Sequence, residues 1–161
     1  MKKQYLTVSP SQTKKLGETL AREILKTKPK KIAQILGLEG DLGGGKTTFL
    51  QGFARGLGIK QKILSPTFII MRKIEVKPLP CGGLTSATSI KTFYHIDCYR
   101  IKKPKEILDL GFKEIISNPQ NIVVVEWADK IKKILPKNSL ILKFKFVNKN
   151  SRKIWLMKRR S

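Results

Sequence analysis

A chain of 161 residues, 40 % hydrophobic and 28 % charged, is long enough to bury a core without disulfides or metals, and its length predicts one domain over 1–161. Its 34 Lys+Arg against 11 Asp+Glu give a net charge of +23. That field favours a nucleic acid or an acidic protein partner, or reflects a lysine-rich source, and no aromatic-interleaved RNA-binding motif decides between them. No apolar run approaches a membrane span and no apolar h-region follows Met1-Lys2-Lys3, which excludes membrane-spanning and secreted classes and predicts a cytoplasmic protein.

In chain order, Gln4–Val8 reads as a strand. Ser9 or Ser11 then caps a helix over about residues 12–26, with Pro10 near its first turn and Thr13, Leu16, Leu20 and Ile24 on its inner face. Thr27-Lys28-Pro29-Lys30 breaks it, and residues 31–38 form a short buried strand.

The next stretch, Gly40-Asp41-Leu42-Gly43-Gly44-Gly45-Lys46-Thr47-Thr48, fits the phosphate-binding pattern G-x-x-x-x-G-K-[ST]. Its glycines let successive backbone N–H groups point inward around phosphate oxygens, and the helix that follows adds the positive end of its dipole. In this pattern Lys46 reaches the β- and γ-phosphates and the Thr47 hydroxyl is a ligand of Mg²⁺. The helix over 48–57 places Phe49, Phe53 and Leu57 on one face and stops at Gly56-Leu57-Gly58. Strand, loop and helix in that order are the context the motif requires.

Ser65-Pro66-Thr67 precedes a strand over 68–74, and a hydroxyl in such a turn either reports the γ-phosphate or caps the backbone. Residues 75–91, with two prolines, adjacent glycines and a Ser/Thr cluster, read as a mobile surface loop. Strand-like alternation returns in Phe93–Arg100, which carries His95, Asp97 and Arg100. A short helix over 105–110 follows Pro104 and closes at Gly111.

Asn121–Trp127 is a β-branched run with Glu126 at its C-terminal end, the form of a Walker B strand. Asp97 and Glu126 compete for a metal role, because ligands gather at the C-terminal ends of strands in an open α/β sheet. His95, the one histidine, and Trp127 read first as packing residues. Cys81 and Cys98 make neither a Cys-x-x-Cys pair nor a His/Cys cluster, so they are two reduced thiols. A short helix over 128–135 ends at Pro136, and strands over 140–147 and 153–157 form an antiparallel hairpin.

Taken together, the chain resembles the TsaE family, also known as YjeE, the small P-loop ATPases of bacterial tRNA modification. The resemblance runs through Thr13-x-x-Leu16-Gly17, the phosphate loop, Ser65-Pro66-Thr67-Phe68, His95-Ile96-Asp97-Cys98-Tyr99-Arg100, Leu110-Gly111 and Glu126-Trp127. It implies an ATP- and Mg²⁺-binding protein that hydrolyses ATP slowly and docks on the TsaB–TsaD heterodimer to form threonylcarbamoyladenosine in tRNA. The protein would then meet tRNA only indirectly. By motif match, Gly43, Gly44, Gly45, Lys46, Thr47 and Thr48 hold the phosphates. Thr47 and Glu126 hold Mg²⁺, with Asp97 at the metal or its water, and Thr67 senses the γ-phosphate. Lys46, Asp97, Glu126 and Thr67 make up the catalytic set, and Thr13 and Arg152 lie near the adenine. The chain departs from the family in a longer 75–91 loop, in Cys98 where leucine is usual, and in Gly44 where alanine is frequent.

The expected fold is α/β, a three-layer P-loop NTPase with a mainly parallel central sheet and antiparallel edge strands. Two rivals share features with it. A small-molecule or nucleoside kinase has the same loop, but its lid is usually arginine-rich and residues 75–91 contain no arginine. A basic RNA-binding module with a vestigial nucleotide site would have no need of the loop and both strand-end acids.

Overall fold

The computed structural model describes residues 2–28, 30–64, 69–77 and 90–159. Seven strands and four α-helices alternate along it: β1 (Lys2–Thr7), α1 (Pro10–Leu25), β2 (Gln34–Gly40), α2 (Lys46–Gly56), β3 (Met71–Glu75), β4 (Thr92–Asp97), α3 (Lys105–Leu108), α4 (Phe112–Ser117), β5 (Asn121–Glu126), β6 (Leu140–Phe146) and β7 (Arg152–Lys158). A 3₁₀ helix over Ala128–Ile134 leads from β5 towards β6. The strands form one sheet in the order β1-β7-β6-β2-β5-β4-β3.

β6, β2, β5 and β4 run parallel. β7 on one side and β3 on the other run against them, and β1 pairs antiparallel with β7 at the outer edge. The centre of the sheet is buried on both faces, which is why Ile122-Val123-Val124-Val125 is uninterrupted apolar sequence rather than alternating. Ile122 and Val124 face a core shared with Leu20 and Ile24 of α1 and Phe49, Leu50 and Phe53 of α2. Val123 and Val125 face the opposite core, with Phe112, Ala128 and Ile131. Helices on both faces of a mostly parallel sheet make the three-layer α/β fold of P-loop NTPases, as the sequence predicts.

α1 begins where Ser9 Oγ accepts the Gln12 N–H at 3.1 Å, with Pro10 in the first turn. Its inner face comprises Thr13, Gly17, Glu18, Leu20, Ala21 and Ile24, and Leu16 packs at the margin. Glu18 joins the two helices of this layer, accepting from Arg22 at 2.7 Å and from Arg55 of α2 at 3.0 Å.

Several elements differ from the sequence reading: β2 and β3 begin later than read, at Gln34 and Met71, the helix read over 128–135 is a 3₁₀ helix, and the stretch after β4 departs further. The strand expected over 93–100 ends at Asp97, because the Asp97 carboxylate accepts the Tyr99 N–H at 2.9 Å and turns the chain. The helix expected over 105–110 stops at Leu108, and a further helix, Phe112–Ser117, follows the left-handed Gly111. That helix buries Phe112 against the sheet. Thr67, Cys81 and most of the 75–91 loop lie outside the described residues. Among those described, no helix is long and apolar enough to cross a membrane.

Candidate nucleotide site

Because β2, β5 and β4 are parallel neighbours, their C-terminal ends meet at one edge of the sheet. The register sets Glu126 opposite both Leu38 and Asp97, so the loop after β2 and the two strand-end acids are brought together by pairing alone.

The loop itself has the backbone the glycines permit. Gly43 and Gly45 adopt positive φ values of 72° and 97°, and a turn closes between Gly44 N–H and the Asp41 carbonyl at 3.0 Å. No side chain caps α2, and its first helical bond is Phe49 N–H to the Gly45 carbonyl. The amides of Lys46, Thr47 and Thr48 precede that bond and carry the positive end of the helix dipole.

Lys46 is 5 % exposed. Its Nζ donates to the Gly40 and Asp41 carbonyls at 2.6 and 2.8 Å, and lies 3.8 Å from the centroid of the Trp127 ring. Burial pulls its pKa below the usual lysine value, against the opposing fields of Glu126, Asp41, Asp129 and Asp97. An ammonium desolvated among four acids is one that a bound polyanion would stabilise.

Glu126 uses both carboxylate oxygens. Oε2 accepts the Thr47 hydroxyl at 3.0 Å, and Oε1 faces His95 Nε2 at 2.9 Å. Asp97 is buried beside it and accepts from the Tyr99 amide. One hydroxyl and two carboxylates at a phosphate loop are a hard-oxygen donor set. It suits Mg²⁺, which takes one or two protein ligands and completes its shell with phosphate oxygens and water. No group of three or more His, Cys, Asp or Glu forms a self-sufficient metal cage among the described residues, and none is needed for that ion.

Arg152 lies against the loop, its Cγ 3.4 Å from where a Cβ on Gly45 would stand. Its guanidinium donates to the Asn148 and Ser151 carbonyls at 2.7 and 2.9 Å and sits 4.7 Å from the Phe146 ring centroid. Thr7, the cross-strand partner of Arg152, bonds Thr13 hydroxyl to hydroxyl at 2.8 Å. Thr13 and Arg152 are thus linked through Thr7, although the buried Thr13 hydroxyl is engaged with Thr7 and with the Ser9 carbonyl. Thr48 sits in the first turn of α2, and Arg100 lies exposed on the turn after β4.

Two contacts go beyond the packing roles read from the sequence. His95 bonds Glu126, and Trp127, the only non-glycine residue with positive φ (59°) among those described, covers Lys46 with its ring and contacts Tyr99 at 5.2 Å between centroids. His95 and Asp97, two apart on one strand, share a face of the sheet, but the first contact is visible only once β4 is paired with β5. The second depends on a left-handed residue that sequence does not announce. Cys98 is completely buried, and burial followed by the nearby Asp97 pushes its thiol up to about 12. It fills the role of an apolar side chain.

Known proteins resemble this chain in sequence and in fold. The family model described as "Threonylcarbamoyl adenosine biosynthesis protein TsaE" matches residues 7–154. The tRNA threonylcarbamoyladenosine biosynthesis protein TsaE of Bacillus subtilis is 37 % identical over 150 residues, covering 93 % of this chain and 82 % of the relative. That of Rickettsia felis is 34 % identical over 142 residues, covering 88 % and 71 %. The crystal structure of YdiB from Bacillus subtilis superimposes with a TM-score of 0.72 at 31 % identity, covering 99 % of this chain and 86 % of that one. With that family model over residues 7–154 and relatives 34–37 % identical across most of its length, the chain belongs to the TsaE family.

Proposed function

We propose that this protein binds ATP with Mg²⁺, hydrolyses it slowly alone, and acts with a TsaB–TsaD pair in forming N6-threonylcarbamoyladenosine in tRNA. The observation that carries the reading is the Thr47 hydroxyl 3.0 Å from Glu126, beside a desolvated Lys46 at an uncapped helix start. The names of the relatives supply the pathway. The partner pair and the nucleotide cycle are our reading, as are a cytoplasmic location and a single functional unit over 1–161.

In this reading Gly43, Gly44, Gly45, Lys46 and the amides of Thr47 and Thr48 cradle the phosphates. Thr47 and Glu126 hold Mg²⁺, with Asp97 at the metal or its water, and Thr13 and Arg152 lie towards the base. Bound Mg²⁺ supplies charge neutralisation on the transferred phosphoryl group. Lys46 balances charge on the same phosphates, while Glu126 or Asp97 orients the attacking water. Thr67 keeps its assignment as γ-phosphate sensor from the family resemblance.

Slow turnover alone fits a sequence that offers no obvious arginine finger apart from Arg100, a group worth roughly 10³–10⁵ in rate. ATP hydrolysis by the purified protein, alone and with its cognate TsaB–TsaD pair, tests the reading. We expect slow turnover alone, raised by the pair and abolished by Glu126→Ala. Fast phosphate transfer to an added small acceptor, indifferent to the pair, would identify a kinase instead.

A further inference from the structure

His95 is completely buried, and Glu126 is its one side-chain partner among the described residues. A buried polar ring in that position needs an explanation, since its second nitrogen, Nδ1, has no hydrogen-bond partner there. Leucine or phenylalanine would fill the volume without leaving an orphaned atom. The side chain is arranged around a single bond, 2.9 Å from Nε2 to Glu126 Oε1.

That bond constrains the acid's other oxygen. A glutamate has three side-chain torsions, and a carboxylate held at one oxygen alone can swing about that anchor. Here it is held at both, by His95 on Oε1 and by Thr47 on Oε2. A cation taken up through a lone pair of the Thr47 oxygen leaves its O–H free to donate, but that bond fixes the acid at one oxygen only. The His95 contact, from the neighbouring strand, fixes the other. Of the two neutral ring tautomers, only the one with hydrogen on Nε2 can donate to a carboxylate, and it leaves at Nδ1 an unused acceptor rather than a stranded N–H.

We propose that His95 is a positioning residue: its Nε2–H fixes one oxygen of Glu126 so that the other stays directed at Thr47, the pair assigned to magnesium above. The assignment rests on that reading of the site and adds to it the group that orders the acid. His95 is not itself a ligand. Groups that orient ligands in this way typically contribute roughly 10–100-fold to metal affinity.

Calorimetric titration of ATP into the protein, with excess MgCl₂ and separately with EDTA, reads the magnesium-dependent part of the affinity. His95→Leu is expected to reduce that part about tenfold or more while leaving the affinity in EDTA unchanged. His95→Gln, whose amide N–H reaches the position of Nε2, should restore most of it. The proposal is overturned if His95→Leu matches the wild type, if it loses affinity equally with and without magnesium, or if Gln does no better than Leu. A wild type whose ATP affinity ignores magnesium would instead refute the underlying reading of the site, and this assignment with it.

Should His95→Leu fail to fold, the wild type still decides. His95 is the only histidine in the chain, so its ring nitrogens give the only imidazole signals in a ¹⁵N NMR spectrum. The expected pattern is hydrogen on Nε2 and none on Nδ1, with the Nε2 signal moved more by ATP with MgCl₂ than by ATP in EDTA. Hydrogen on Nδ1 alone, or a spectrum indifferent to magnesium, would contradict the proposal.

Discussion

Lys46→Ala is expected to weaken ATP binding by roughly a hundredfold and to cut hydrolysis by about a thousandfold. Two effects combine. The substitution removes a charge-assisted donor from the phosphates, and it unbalances the site. Glu126, Asp41, Asp129 and Asp97 all act on the Lys46 ammonium, so without it their fields oppose an incoming polyanion. The loop also loses the two bonds from Nζ to the Gly40 and Asp41 carbonyls. The circular dichroism of the variant should nonetheless match the wild type, because the core is formed elsewhere, by residues such as Phe49, Phe53, Ile122 and Val124. Titration calorimetry with ATP and MgCl₂ checks the first figure, and phosphate release the second. Unchanged affinity would mean that the triphosphate is held somewhere other than this loop.

A large effect on stability is expected at a glycine remote from the chemistry. A Cβ on Gly52 would stand 1.9 Å from the Lys14 carbonyl oxygen, and one on Gly17 would stand 2.2 Å from that of Phe49. The backbones of α1 and α2 therefore touch, with a glycine on each side. Gly52→Ala gains about 1 kcal/mol of helix propensity. It must also push two packed helices apart, which costs about 3 kcal/mol or more. The clash wins, and the net loss of about 2 kcal/mol lowers Tm by roughly 4–8 °C. Gly43→Ala serves as the contrast. Nothing lies within 4 Å of its Cβ, and only the positive φ of 72° is strained, at about 1–2 kcal/mol. Thermal unfolding of the two variants side by side should rank Gly52→Ala as the more damaging, and equal stability to wild type would show that the helices are not in backbone contact.

Local chemistry explains why some of this was legible in sequence and some was not. The loop, its flanking strand and helix, and the acid ending β5 follow from residue types at fixed spacings, and the order and kind of each stand as read, with the strand and helix bounds shifted to Gln34–Gly40 and Lys46–Gly56. The central strands were equally plain, because a β-branched run with no alternation has to be buried on both faces. The Phe112–Ser117 helix was missed because its six residues are too few to show a helical period. Strand β4 was read three residues too long because alternation continues through Tyr99, while the Asp97 side chain ends it by bonding the backbone two residues on. The bond between His95 and Glu126 joins residues 31 positions apart and becomes visible only when β4 and β5 are known to be neighbours. The contact between helices at Gly17 and Gly52 is of the same kind: each glycine looks like a weak point in its helix until the other helix is set against it.

The central proposal is that a nucleotide cycle at this loop serves tRNA modification. The most direct test replaces the resident TsaE of a bacterium with this chain, or with its Lys46→Ala variant at matched expression, and measures N6-threonylcarbamoyladenosine in the tRNA. The wild-type chain is expected to restore the modified nucleoside, and the variant to leave tRNA unmodified. Full modification by Lys46→Ala would contradict the proposal, separating this protein's part in the pathway from the site its fold assembles.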